Sequence, residues 1–347
     1  MRRIRNTAWP VALLVCALVP VLGTAVAAEE TVADRLAEAL QMYNELEYDK
    51  GIQIAEGLLA RPSLSAQDSV AVFEVLSILT YAKGQKFEQE SFTYLEKISS
   101  IGPCLTPMPQ DFWPQELRDR WYRLVKEKNA LVCDHDPNLK TIAVMEFDNF
   151  STGKYQEELG LLSKGLADFF EHDFAKISDL KVIERDKIPV VLEELQLQKS
   201  GAVDQSTAVQ VGKVLGARYM VFGSITQMDE SLARMVVRVV NVETSEIVAS
   251  VDQEGKPKYS EMEKALVKEL AAKLDVKLNK ETLGLIDEGG TDVKDAAGFY
   301  SLGLRHMDEY DYKLAYENFK KAYELDPTFT EAKRKMDIYR PLAGQAS

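Results

Sequence analysis

The sequence predicts an α/β central domain, a mixed sheet packed with helices, flanked by all-α helical-hairpin regions. Two observations carry this. Apolar residues recur at helical spacing through residues 29–136 and again through 295–340. Between them, from Thr141, short β-branched runs alternate with helical runs, which is the pattern of a layered α/β domain. A chain of 347 residues that is 46% hydrophobic has the length and composition for two or three domains with sizeable cores.

Residues 1–28 read as an export signal. Arg2, Arg3 and Arg5 precede the apolar stretch WPVALLVCALVPVLG, and Ala27 and Ala28 sit where small residues permit cleavage. That stretch is about fifteen residues long and contains Pro10 and Pro20, short of the ~20 that a spanning helix needs. Val15 before Cys16, with an apolar run continuing beyond it, argues against a lipid-bearing cysteine. Removal of the signal leaves two cysteines, Cys104 and Cys133. An even count in an oxidising compartment makes them a candidate disulfide, the alternative being two buried thiols.

Through 29–136 the runs RLAEALQMYNEL, KGIQIAEGLLA, DSVAVFEVLSILTYAKG and KFEQESFTYLEKISS form two helix pairs, and Pro114 opens a further helix. These read as degenerate helical-hairpin repeats or as an ordinary bundle. CDHDPNLK, polar and turn-rich, is the boundary. From 141 to 280 follow the strand TIAVMEF, the helix LGLLSKGLADFFEHDF, the strand LKVIE, a helix with Pro189 near its start, and a short helix that Ser206 is placed to cap. RYMVFGSI is a third strand, ARMVVRVVNV and EIVASVDQ make a hairpin around ETS, and SEMEKALVKELAAKL closes the domain.

Residues 281–294, with Gly289-Gly290, read as a linker. Beyond it, Phe299, Leu302, Gly303, Ala315, Phe319, Ala322 and Pro327 fall at the spacing of a tetratricopeptide (TPR) repeat, with His306 where an aromatic is usual. Gly303 and Ala315 are small where two helices approach, and Leu302 and Phe319 are placed to fill the gap. One repeat cannot bury its own face and must lean on another surface. The turn Asp308–Tyr312 reads as surface.

Little in the chain points to chemistry. The net charge of −13 disfavours a nucleic-acid partner. No GxxxxGK[ST] or strand-linked GxGxxG is present, and His135, His172 and His306 stand in no metal-binding or catalytic pattern. The reading is therefore a non-enzyme with no catalytic residue, metal site or cofactor. KVIERDKIPVVLEELQLQKSG, 181–201, raises one further question. Glu184 and Arg185 end a strand, as a strand-to-helix crossing capped by Asp186 or as a candidate contact for a partner.

The middle region resembles the CsgG family, named for the curli secretion channel. The resemblance rests on Ile142–Phe147, Val182–Arg185, Glu194–Gly201, Val211–Ser224 and Arg238–Ile247 in family order, with Leu195 and Ser245 departing from its usual Gln and Gly. It implies the α/β domain over 141–280. The channel members insert membrane-spanning hairpins. Here TQMDESLAR and DQEGKPKYS are too short to hold strand pairs of ~9–11 residues each. The expected function is that of an exported cell-envelope scaffold or accessory protein. It acts by protein–protein binding in the periplasm or outer-membrane periphery, in assembly or export of surface material. Its partners are other envelope proteins or further copies of itself. The alternatives are a subunit of an envelope ring and a small-molecule-binding envelope protein.

Overall fold

Short polar side chains start several helices. Ser65, Asp204, Asn279 and Asp311 each accept the backbone N–H three residues on, at 2.8–3.0 Å, satisfying a donor that the first turn leaves free. At 204–207 the cap is Asp204, and Ser206 donates its hydroxyl to it at 2.8 Å instead of capping the helix itself. The computed structural model describes residues 30–105, 113–128, 130, 133, 140–194 and 204–344. The signal with Ala27 and Ala28, most of the 133–140 boundary, and 195–203 lie outside them.

Among the described residues, five α-helices come first: α1 (Val32–Asn44), α2 (Tyr48–Leu59), α3 (Ala66–Ala82), α4 (Glu88–Ile101) and α5 (Gln115–Glu127). α1 packs on α2 and α3 on α4, with α2 bridging to α3. The middle helix α3 buries most of its circumference from Val70 to Ala82, including Leu76, Ile78 and Leu79. α5 leaves this array and also contacts elements from the sheet domain and the C-terminal helices.

The sheet domain runs β1 (Lys140–Val144), β2 (Asp148–Asn149), α6 (Lys154–Gly160), α7 (Leu162–Ala175), β3 (Leu180–Val182), α8 (Lys187–Glu194), α9 (Gln205–Leu215), β4 (Tyr219–Gln227), β5 (Ala233–Asn241), β6 (Glu246–Gly255) and α10 (Tyr259–Lys273). The mixed sheet has the order β3-β1-β4-β5-β6, with β2 beside β4. β1 is parallel to β3 and β4, and β4-β5-β6 is an antiparallel meander. A bulge between Val239 and Val240 gives β6 one extra residue, Val248. Alternate residues of β4 face opposite layers. Gln227 accepts from the Tyr259 hydroxyl on α10, while Met220 meets α9 at Gly212. β4 and β5 are joined by 228–232, and β6 and α10 by 256–258, so neither connection carries further strands.

Four helices follow among the described residues: α11 (Lys280–Asp287), α12 (Lys294–Asp308), α13 (Tyr312–Leu325) and α14 (Thr330–Tyr339). The segment expected as a linker is thus half helical. Ile286 is fully buried, and Asp292 accepts the Ser260 N–H at 3.0 Å, so the apolar residue and the carboxylate tie the segment to α10. α12 pairs with α13, α13 with α14, and α12 lies along α7. Two glycines permit these approaches. A Cβ on Gly303 would fall 2.6 Å from the Phe319 ring, and one on Gly165 would fall 2.3 Å from Ser301 Oγ. From Val32 onward the buried apolar residues form one continuous core. Among the described residues, no helix is long and apolar enough to cross a membrane.

Candidate functional site

The strand-to-helix crossing flagged in the sequence lies where the three regions meet. Ile183 N–H donates to Ile142 O at 2.8 Å, closing the β3 ladder. Lys187 and Ile188 then bond back to Glu184 and Arg185 carbonyls at 3.1 and 2.9 Å, which starts α8. Arg185 is only 7% exposed and turned inward, which fits the crossing and goes against its candidate role as a partner contact. The half-buried Glu184 accepts the Tyr122 hydroxyl from α5 and is likewise engaged within the chain. Asp186 pairs with Arg118 Nε of α5 at 3.0 Å.

A cavity of about 70 Å³ sits behind this crossing, lined by Arg118, Asp168, Glu171, Arg185, Asp186 and Lys335 among others. Arg118 comes from α5, Asp168 and Glu171 from α7, and Lys335 from α14. Arg118 Nη2 also donates to Gln115 Oε1 at 2.8 Å. Tyr300 of α12 donates its hydroxyl to Asp168 at 2.6 Å. His172 Nε2 stands 3.3 Å from Glu331 Oε1 on α14. Lys164 pairs with Asp308, holding α7 to the end of α12. The Arg185 guanidinium approaches Glu146, Glu171 and Asp186 only to 3.8–4.0 Å. Its Nε has no hydrogen-bond partner, an expensive state for a buried charge.

The environment divides these acids. Burial works to raise Asp186, but Arg118 and Arg185 outweigh it and hold the carboxyl below its ordinary range. Asp168 is depressed in the same way, against burial, by Lys335, Arg185 and the Tyr300 hydroxyl. Glu171 goes the other way: burial pushes it up to about 7, and Arg185 offsets only part of that. Burial also lowers His172, despite Glu331. The cluster acts as an ionic joint. Among the described residues, no group of three or more His, Cys, Asp or Glu side chains could hold a metal ion.

The other flagged residues are spread elsewhere. The sulfurs of Cys104 and Cys133 are bonded, with Cα atoms 5.5 Å apart. Gly303, Ala315, Phe319 and Ala322 are buried between α12 and α13, whereas Phe299 and Leu302 are half-buried and Pro327 is exposed beyond α13. The gap assigned to Leu302 is filled by Tyr300, whose ring lies 5.6 Å from Phe169, 5.4 Å from Phe319 and 4.8 Å from Phe329. The 308–312 turn is not simply surface. Tyr312 is buried against Tyr81 of α3, and Tyr310 donates to Asp119 of α5 at 2.7 Å. These partners lie roughly 190–230 residues away in sequence, beyond the reach of any local pattern.

Comparison with known proteins places the family likeness in the sheet domain. The model of a family described as the curli production assembly/transport component CsgG matches residues 130–237. Among solved structures, the C-terminal domain of LpoB from Salmonella enterica is 15% identical, covers 37% of this chain and 91% of its own, and has a TM-score of 0.29. A lipoprotein from Neisseria meningitidis is 13% identical, with coverages of 40% and 99% and a TM-score of 0.27. A Chlamydia trachomatis protein described as hypothetical is also 13% identical, with coverages of 39% and 95% and a TM-score of 0.25. At these scores the structural likenesses carry no functional argument. None of the curated proteins matches the chain.

Proposed function

We propose that this chain is an exported accessory protein of a bacterial cell envelope, acting by protein–protein binding in the assembly or export of surface material. The observation that supports it most is the match of residues 130–237 to a family described by curli assembly and transport. The N-terminal basic and apolar segment supports export through residues 1–28, and with it a periplasmic or outer-membrane-peripheral location. The helices of 29–128 and 295–340, the latter read as a TPR repeat, supply binding surface, and no enzymatic step is assigned to them. Crosslinking in intact cells, identification of the partner, and reconstitution from purified components test the reading. A concentration-dependent complex with an envelope protein is expected. Turnover by the purified chain that vanishes on changing one polar side chain would refute it.

A further inference from the structure

The ionic joint has an odd number of charges. Its lining carries three cations, Arg118, Arg185 and Lys335, and four carboxylates, Asp168, Glu171, Glu184 and Asp186. Arg118 is committed to Asp186, and Tyr300 donates to Asp168. Tyr122 donates to Glu184. Glu171 receives one backbone N–H, from Arg185 at 3.3 Å, and its nearest cation stands 4.0 Å away at Arg185 Nε. Its surroundings come from every element packed there: Asp168 and His172 on α7, Glu184 to Asp186 on the crossing, Arg118 on α5 and Lys335 on α14. Glu146 and Lys164 flank Arg185 and stand 3.9 Å from each other. With Asp168, Glu184 and Asp186 carrying the three negative charges that match the three cations, charge in this lining balances when Glu171 is neutral, and ionising it adds a fourth negative charge.

We propose that the joint is a proton-operated clamp, in which protonation of Glu171 seats α5 and α14 firmly against the α/β domain and its ionisation loosens them. The elements it joins belong to three different regions of the chain, so loosening changes which helical surface is presented without unfolding the sheet. Room for a few water molecules in the cavity gives the proton a path to the carboxylate.

The sign follows from linkage. Glu171 binds a proton more tightly in the clamped state than in the open one, because burial lifts it to about 7. The stabilisation is complete below the ordinary carboxylate range and is lost as pH rises through about 7. Glu74, elsewhere in the core, is also lifted to about 7 by burial, and the depressed His172 opposes the trend in acid, so the wild-type slope alone is not diagnostic. The readout is the difference between wild type and Glu171→Gln, which mimics the protonated acid.

Hydrogen exchange of α5 and α14 in the purified full chain, converted to opening constants and corrected for intrinsic pH dependence, tests the clamp. The wild-type to E171Q ratio of opening constants is expected to rise by up to roughly tenfold per pH unit between pH ~5 and ~7, then level off. A ratio that is the same at both ends of that range overturns the proposal. A second variant, Lys335→Met, removes one cation and should move the wild-type midpoint to higher pH. A midpoint that stays in place also overturns it.

Discussion

The two sides of α7 bury residues by different physics. Toward the sheet it presents Leu166, Phe170 and Phe174, all fully buried, and the Phe170 ring stacks 4.9 Å from Phe147. Toward α12, α14 and the strand-to-helix crossing it presents Asp168, Glu171 and His172. The first side gains from removing apolar area from water, a term that needs no specific partner. The second also packs Phe169 against the Tyr300 ring, but its charged groups contribute only while each keeps its counterpart, since a buried charge left alone costs more than the pair contributes. One helix thus joins a permissive interface to a demanding one.

Truncating Phe170 to Ala should be the most damaging single change, about 4 kcal/mol in denaturant unfolding, because a cavity is left in a filled layer. A loss under about 1 kcal/mol would mean the layer collapses around the gap. Arg118→Ala should follow at about 3 kcal/mol, since it strands Asp186. The sharper contrast is the pair Arg118→Met with Asp186→Leu, which should recover most of that loss. Failure of the double variant to recover would show that the joint is not simply a set of ion pairs.

The bridge between Cys104 and Cys133, 29 residues apart in sequence, tests whether α5 needs a covalent tether as well. Replacing both with Ser should cost about 2–3 kcal/mol through the freer unfolded chain, and reductant should lower the melting temperature of the wild type but not of the variant. The smallest effect belongs to a local device. Asp204→Ala removes the cap of α9 and should lower the melting temperature slightly without altering the pH response of the joint.

Much of the apolar side was legible in the sequence. The run LGLLSKGLADFFEHDF announced a helix, and the runs RYMVFGSI and ARMVVRVVNV announced strands that the structure pairs residue by residue. The ionic side was not legible. Glu184 and Arg185 read as a strand-to-helix crossing or a partner contact, but the counterparts of Arg185 could not be named because they lie on α7 and just beyond β1, and Arg118 and Lys335, which line the same cavity, come from helices far away in sequence. The same limit hid the docking of Tyr310 and Tyr312 onto α5 and α3.

Local pattern, by itself, determined where most helices and strands fall, which of their faces turn away from water, and that the middle of the chain resembles one family. These follow from backbone periodicity and side-chain apolarity, properties carried by each segment alone. Only the tertiary structure decided that the helical flanks and the sheet share one core, and that a charged crossing becomes an internal joint. Both depend on charges and rings meeting across large separations in sequence, where the value of each group is set by what it faces and not by what it is.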